Sequence, residues 1–438
     1  MGNKKREKDY SMTQTNKKFK LFEIVESLSY SMDLISETLV GHHKRVAYIS
    51  LQIGKSMDLS VKDIRKLVIA ALIHDLGVFY LNQNLSDLSF DSEDNQHAEI
   101  GYRLLYGMFP LEDVATIIRY HHQNWDVSKN TSSNLNSHIL HLADKIAVLI
   151  EGNTRILNHR QDITTTIRKH SGTYFHPGTV NHFLNVSNKE YFWLDAVSNK
   201  IIEQNLSSFF VAHCKNNIGY AEVLNIGRII SHIIDFRSSF TATHSDGVSA
   251  IATHLCKYFD FNKNQQTEMQ ISGYLHDIGK LVVPPHILNK TGELSEQEWN
   301  LMKTHTYHTY QALSTSNALD TIKQWASYHH EKLNGEGYPF HLGKKDLSTG
   351  SKILAVADVF TAITEDRPYR TGMSYDTSRE LIKHLGKAQE LDQEVIEIVL
   401  DNFSEIYTLR KDSQAAALDY YNDFKEKIKT NLEPGLSV

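Results

Sequence analysis

Apolar residues along this chain recur every three to four positions, the spacing of a helix with one buried face. Alternation of the kind found in strands is nowhere sustained, so the pattern predicts an all-α protein. Several of the apolar stripes end in a histidine or an aspartate: Val248, Ile251 and Leu255 with His244, Ile322 and Trp325 with His329, and Leu354 with Asp358.

The chain contains two copies of one pattern of polar residues. His42 and His74 are 32 residues apart, as are His244 and His276, and an aspartate follows the second histidine each time. A histidine pair comes later in each copy, and a single histidine precedes it by 24 residues. The corresponding positions are, in order, His42, His74, Asp75, His97, His121, His122 and Asp144, then His244, His276, Asp277, His305, His329, His330 and Asp358. Equal spacings in the same order predict two tandem helical bundle domains.

The copies differ in two loops, each six residues shorter in the first copy (22 residues against 28 in both cases). No proline-rich or serine-rich tract separates them, so the boundaries follow from the repeats. We expect a flexible tail at 1–20, an N-terminal domain at 21–205, a linker at 206–219, a C-terminal domain at 220–410 and a segment at 411–438 with a helix over 415–429.

Charge and composition exclude several classes of protein. The 438 residues carry a net charge of -6, whereas non-specific binding to a nucleic-acid duplex needs a basic surface. No apolar run approaches the roughly 20 residues of a membrane span. The only cysteines, Cys214 and Cys256, cannot form a disulfide framework, which fits a cytoplasmic protein. The oligomeric state stays open, and a homodimer is one assembly that the sequence allows.

Histidine is unusually frequent, with 24 residues against 22 glycines. A single histidine on an apolar stripe is more often a hydrogen-bonded core residue than a metal ligand, but several such stripes in one domain, found twice, favour a metal site. Imidazole and carboxylate without thiolate suit iron or manganese, with nickel or zinc as alternatives. One aspartate among the histidines could bridge two such ions with its two oxygens.

Three runs of the second copy form a distinctive pattern: His276-Asp277-Ile278-Gly279-Lys280, then His329-His330-Glu331-Lys332-Leu333-Asn334-Gly335-Glu336-Gly337-Tyr338-Pro339, and Asp366-Arg367-Pro368-Tyr369-Arg370. With these runs the second copy resembles the HD-GYP subfamily of HD phosphohydrolases. The match covers roughly residues 220 to 410, and residues 21 to 205 resemble an HD domain more weakly.

This resemblance implies a phosphodiesterase that opens a bacterial cyclic dinucleotide to a linear product by metal-hydroxide attack on phosphorus. One divalent ion would take His244, His276, Asp277 and Asp358, and the other would take Asp277, His305, His329 and His330. Lys280 would act beside Asp277 as the catalytic residue that contacts the scissile phosphate, unless it is a solvated lysine at a helix end. The remaining substrate contacts would be Gly337, Tyr338 and Pro339, together with Arg367 and Arg370, which could instead form surface ion pairs.

Some family members hold a third metal through a glutamate four residues before the first histidine. Phe240 stands at that position here, so we expect two ions in the second copy.

The first copy keeps the full set of predicted ligands but lacks the glycine–tyrosine–proline loop, and Val78 replaces Lys280. His43, beside a ligand position, is assigned no role. The first copy is therefore either a structural or regulatory metal-binding domain, or a phosphohydrolase with a smaller substrate such as the linear product.

The substrate predicted for the second copy is 3′,3′-cGAMP or cyclic di-GMP. Two further functions remain as alternatives at this point: an HD-type nucleotide phosphohydrolase, and a non-catalytic sensor of cyclic dinucleotides.

Overall fold

A computed structural model describes residues 17–33, 41–81, 95–128, 134–150, 155–213, 217–237, 243–366 and 371–432. Within these ranges the regular structure is helical except for one pair of two-residue strands, so the all-α prediction is confirmed.

The helices of the first copy are α1 (Leu21–Asp33), α2 (His42–Ser56), α3 (Val61–Ile73), α4 (Val78–Leu81), α5 (Gln96–Leu105), α6 (Glu112–Arg119), α7 (Trp125–Ser128), α8 (Leu135–Ile150), α9 (Ile156–Lys169), α10 (Pro177–Ser187), α11 (Glu190–Ala196) and α12 (Asn199–His213).

Those of the second copy are α13 (Tyr220–Arg237), α14 (His244–Leu255), α15 (Lys263–Leu275), α16 (Pro285–Leu288), α17 (Glu296–Ala312), α18 (Asp320–Ser327), α19 (Thr349–Thr364), α20 (Tyr375–Lys387), α21 (Gln393–Asp401) and α22 (Phe403–Leu432). Short 3-10 turns lie at Ile278–Val282 and Leu313–Thr315, among others.

The repeat seen in the sequence is a repeat of helices. The pairs α3 and α15, α6 and α18, and α8 and α19 have equal lengths of 13, 8 and 16 residues. By contrast, α17 has 17 residues where α5 has 10. Ser295 and Glu298 form a capping box that starts α17 nearly three turns before His305. The extra residues between Asp277 and His305 in the second copy therefore include the first turns of α17.

Two helices run across boundaries that the sequence predicted. Helix α12 continues through residue 205, and α22 continues through residue 410 without a break. The predicted helix over 415–429 lies inside α22. In addition, Phe19–Lys20 pairs with Asn217–Ile218 as antiparallel strands β1 and β2, and Phe19 is fully buried. The end of the predicted tail is therefore anchored at Phe19, because burial of its apolar side chain is favourable.

One apolar core extends from the first copy into the second. Helix α1 packs on α3 in its own copy and on α17 in the other, and the continuous cluster includes Leu28, Leu67, Leu275 and Ile278. At this contact the Ser27 and Thr315 hydroxyls are 2.6 Å apart. A second cluster, which includes Val248 and Phe360, lies wholly in the second copy. No helix among the described residues has both the length and the apolarity to cross a membrane.

Candidate metal centres

The predicted ligands of the second copy come together at the ends and inner faces of five helices. His244 begins α14, His276 and Asp277 follow the end of α15, and the pair His329–His330 follows α18. His305 lies in α17 and Asp358 in α19.

Two glycines allow the close helix contacts on which this arrangement depends. A Cβ on Gly273 would lie 2.5 Å from the Ser249 Cα of α14. A Cβ on Gly279 would lie 1.9 Å from the His305 carbonyl oxygen of α17. Any larger residue at either position would push apart helices that carry ligands.

The two oxygens of Asp277 face different groups of histidines. Oδ2 lies 3.1 Å from His276 Nε2, while Oδ1 lies 3.5 Å from His305 Nε2 and 3.9 Å from His329 Nε2. On the Oδ2 side, Asp358 Oδ1 is 3.1 Å from His244 Nε2 and 4.0 Å from His276 Nε2. Two separate sets of ligand atoms are each close enough to share one ion: His244, His276 and Asp358, and His305, His329 and His330.

Backbone carbonyls orient three of these rings. The Nδ1 atoms of His276, His305 and His329 donate to the carbonyl oxygens three residues earlier, at 2.8, 2.7 and 2.6 Å. Each Nε2 is thereby the free ligand atom that faces the cluster, which is the usual arrangement behind a metal-bound histidine.

His244 is oriented by a carboxylate that the sequence analysis did not single out. Its Nδ1 lies 3.1 Å from both oxygens of Glu365, which is 4% exposed. The Gln414 amide of α22 donates to Glu365 at 2.9 Å, and Arg410 donates to Gln414 at 2.6 Å. Glu365 directly precedes the motif that begins at Asp366, and the repeat could have marked it, because Glu151 has the same spacing in the first copy. No such signal marks Gln414.

The cluster contains buried polar atoms without hydrogen-bond partners, which suits a bound metal ion. Asp277 Oδ1 and His276 Nε2 are buried without a hydrogen-bond partner, which is costly unless another group satisfies them. Burial alone would raise the pKa of Asp277, but His276 and Lys280 hold it well below its usual range. Burial lowers the pKa of His305 to about 3. An ionised aspartate is ready to bind a divalent cation. His244 differs, because burial alone would lower its pKa but Glu365 raises it to about 10, so metal binding there would release a proton.

Lys280 and the predicted loop border this cluster. Lys280 Nζ donates to Asp277 Oδ2 at 2.5 Å, and the Lys280 side chain is 20% exposed. The Tyr338 ring lies 5.0 Å from the His330 ring and faces a cavity of about 470 Å³ that Trp299 and Lys303 also line. Gly337 belongs to the same lining, whereas Pro339 follows Tyr338 in the loop. Arg367 and Arg370 lie outside the described residues, as does Phe240.

The loop is shaped by Glu331, whose role the sequence analysis also missed. Its buried carboxylate accepts the backbone N–H groups of Phe340 at 2.7 Å and Leu342 at 2.8 Å. A Cβ on Gly337 would lie 2.4 Å from the Glu331 Cα, so only glycine permits the loop to fold back this closely.

The first copy forms an equivalent cluster of predicted ligands from its own helices. Asp144 Oδ1 is 3.2 Å from His42 Nε2, and Asp75 Oδ2 is 3.2 Å from His74 Nε2. The other Asp75 oxygen lies 3.5 Å from His97 Nε2. Four ligand atoms on that side are mutually close, those of Asp75, His97, His121 and His122. Buried Asp75 Oδ1 has no hydrogen-bond partner, so the metal fit holds for this copy too.

His43 is part of this first site, contrary to the absence of a role expected from the sequence. It is fully buried, with Nδ1 2.5 Å from Asp33 Oδ1 and Nε2 3.6 Å from Asp75 Oδ2. Burial alone would lower the pKa of His43, but Asp33 and Asp75 raise it to about 10. Val78, at the position of Lys280, is an apolar side chain that is 1% exposed.

Comparisons with known proteins agree with this duplicated architecture. HD domain family models match residues 39–149 and 228–395. The prediction of two tandem HD-type domains is thereby confirmed.

One relative spans nearly the whole chain. The 3'3'-cGAMP-specific phosphodiesterase 1 of Vibrio cholerae is 30% identical over 399 residues, which are 87% of this chain and 91% of that protein. A cyclic di-GMP phosphodiesterase of Pseudomonas aeruginosa is 34% identical over 155 residues, 35% of this chain and 37% of its own length.

A crystal structure of a cyclic GMP-AMP-specific phosphodiesterase of V. cholerae, V-cGAP3, superposes with a TM-score of 0.60 at 22% identity. The superposition covers 92% of this chain and 98% of that one, and at this identity it shows a shared fold.

Proposed function

We propose, since this chain belongs to the family of HD-domain cyclic dinucleotide phosphodiesterases, that its second copy hydrolyses a bacterial cyclic dinucleotide to a linear one. The observation that carries the proposal is the division of the ligand cluster by Asp277, with one carboxylate oxygen toward each group of histidines. A carboxylate placed in this way could bridge two metal ions, the arrangement that two-metal phosphodiesterases use.

The proposed ligand sets are those implied by the sequence. His244, His276, Asp277 and Asp358 would hold one ion, and Asp277, His305, His329 and His330 would hold the other. We favour iron or manganese, with nickel or zinc as alternatives, because the donors are nitrogen and oxygen without sulfur. When bound, two such ions polarise phosphoryl oxygens and lower the pKa of water.

The protein's own residues would supply positioning. Lys280, donating to Asp277 Oδ2 from a partly exposed position, would contact a phosphoryl oxygen and stabilise its developing charge. Tyr338 and Trp299, whose rings lie 5.9 Å apart at the cavity, offer surfaces for stacking a base. Arg367 and Arg370 would hold the second phosphate, and Gly337 and Pro339 would shape the loop.

We favour 3′,3′-cGAMP as the substrate, because the relative that matches most of the chain is named for it. Cyclic di-GMP is the second candidate, since several relatives that match about a third of the chain are named for it.

The test is product analysis with the purified chain. After loading with manganese or ferrous iron, it is incubated separately with 3′,3′-cGAMP and cyclic di-GMP, and we expect a linear dinucleotide from one of them. Asp277→Asn should abolish turnover while the fold is kept, because the amide removes the bridging charge without changing side-chain size. Asp401→Asn, at an exposed position away from the cluster, is the matched control. Cleavage retained in Asp277→Asn would refute the site.

For the first copy we propose a metal-holding structural or regulatory role. The first copy keeps the cluster of predicted ligands, but buried Val78 occupies the position at which Lys280 of the second copy would contact a phosphate. The competing role is hydrolysis of the linear product. His42→Ala separates the two roles, because a linear dinucleotide should be the end product with and without this substitution if the first copy is structural or regulatory. Accumulation in the variant alone would show that the first copy consumes the product.

A further inference from the structure

The bridging aspartate of each copy has a nitrogen-bearing partner on its Oδ2 atom in addition to the neighbouring histidine. In the second copy this partner is Lys280, which reaches Asp277 from the turn after α15 at 2.5 Å. In the first copy the equivalent residue is Val78, whose side chain has no donor.

In the first copy a nitrogen from a fully buried side chain lies near the corresponding oxygen. His43 Nε2 lies 3.6 Å from Asp75 Oδ2, the distance of an ion pair without a direct hydrogen bond. The Nδ1 atom of His43 is bonded to Asp33, so Nε2 is the ring nitrogen that faces the bridging aspartate.

The second copy has different residues at the positions of this histidine–aspartate pair. Ser245 occupies the position of His43, and Asp235 that of Asp33. The Ser245 hydroxyl donates to Asp235 at 3.2 Å, so these two residues are hydrogen-bonded to each other. Each copy thus has one additional nitrogen near its bridging aspartate, from Lys280 in the second copy and from His43 in the first.

We propose that His43, held by Asp33, is the positioning residue of the first metal site and replaces the contact that Lys280 makes in the second. The inference rests on the proposal that the first copy binds metal. Its consequence is that Asp75 is oriented entirely from within the protein. Val78, at the position of Lys280, offers no ammonium group to contact a phosphate, which suits a resident metal rather than phosphodiester turnover.

The test uses the full chain with its second site disabled by His276→Ala and Asp277→Asn. Manganese per chain and its dissociation constant are measured after metal loading. The melting temperature is followed by circular dichroism. We expect this background protein to bind manganese at the first site, and a background without manganese would refute the proposed metal-binding role itself.

Adding His43→Ser, which installs the residue of the second copy, should weaken manganese binding by about 10- to 100-fold. Further addition of Val78→Lys should restore most of the loss. His182→Ser, which alters a partly buried histidine hydrogen-bonded to Ser56, is the control and should change nothing.

Manganese affinity unchanged by His43→Ser would overturn the inference. So would a folded His43→Ser/Val78→Lys protein that binds no better than His43→Ser alone. If the lysine prevents folding, Asp33→Asn takes its place as the second variant. Weaker manganese binding in Asp33→Asn supports the inference, and unchanged binding overturns it.

Discussion

Glu365 determines which nitrogen of His244 faces the cluster, and it is itself held by Gln414 from a distant part of the chain. This matters at the scale of single residues because a ligand ring that can rotate binds its metal less well. The carboxylate also accepts the Nδ1 proton, which makes Nε2 a better donor to a cation.

We therefore expect Glu365→Gln to weaken manganese binding at the second site by about 10- to 100-fold, because an amide accepts the Nδ1 proton less strongly and leaves the ring less basic. The measurement is a manganese titration of the full chain carrying Asp75→Asn, so that only the second site contributes. Glu405→Gln is the control, since Glu405 also lies beside a histidine, His254 at 3.4 Å, but is exposed and away from the cluster. Equal affinities in the two variants would contradict the role given to Glu365.

At the scale of elements, the turn Ile278–Val282 lies directly against α17. Gly279 N–H donates to the Thr309 hydroxyl at 3.1 Å, and Thr309 donates in turn to the His276 carbonyl at 2.9 Å. Gly77 repeats this close approach in the first copy, where a Cβ would lie 2.1 Å from the His97 carbonyl oxygen. In both copies a glycine after the histidine–aspartate pair thus sets the distance to the next ligand helix.

Gly279→Ala should lower the free energy of unfolding by about 1–3 kcal/mol or more, because the added methyl overlaps backbone that cannot move alone. It should also reduce manganese affinity, since relief of the overlap displaces His305. Urea unfolding and metal titration measure the two effects. Gly292→Ala, where the added methyl has no neighbour within 4 Å, should leave both unchanged. A fully stable Gly279→Ala protein would show that the turn can separate from α17 without cost.

Helix periodicity predicted the all-α fold, and repeated spacing grouped the side chains that the structure brings together. His305 and His329 could be paired across the chain because His97 and His121 repeat their separation. The residues behind the ligands were harder to predict. Glu365 has a counterpart at the same spacing in the first copy, Glu151, so the repeat carried a signal for it, whereas Gln414 lies 49 positions further on and outside the repeat. His43 could not be found by repetition, because its counterpart in the second copy is a serine.

At the scale of the whole molecule, one buried apolar cluster contains side chains from both copies. Leu275 and Ile278, next to the ligands of the second copy, belong to the same buried cluster as Leu28 and Leu67 of the first. Separation of the copies would expose this surface to water, which is unfavourable in proportion to its apolar area. The duplicated sequence therefore does not imply two independently stable units.

We expect the metal-free chain to unfold in a single calorimetric transition, with equal van't Hoff and calorimetric enthalpies. The physical reason is that neither copy can lose its part of the shared core without destabilising the other. Phe19→Ala, in strand β1, should lower the temperature of the whole transition, whereas Tyr258→Ala, at an exposed position, should not. Two resolved transitions, of which Phe19→Ala shifted only one, would show that the copies fold separately.

Helix α22 belongs to both copies, because it begins in the core of the second at Phe403 and ends against the first at Phe424 and Ile428. Between these points Gln414 holds Glu365, yet the HD domain match ends at residue 395. Evolutionary change in this helix is therefore invisible to a comparison of motifs. Two relatives with identical ligands could differ in metal affinity through a segment that neither contacts the metal nor belongs to the recognised domain.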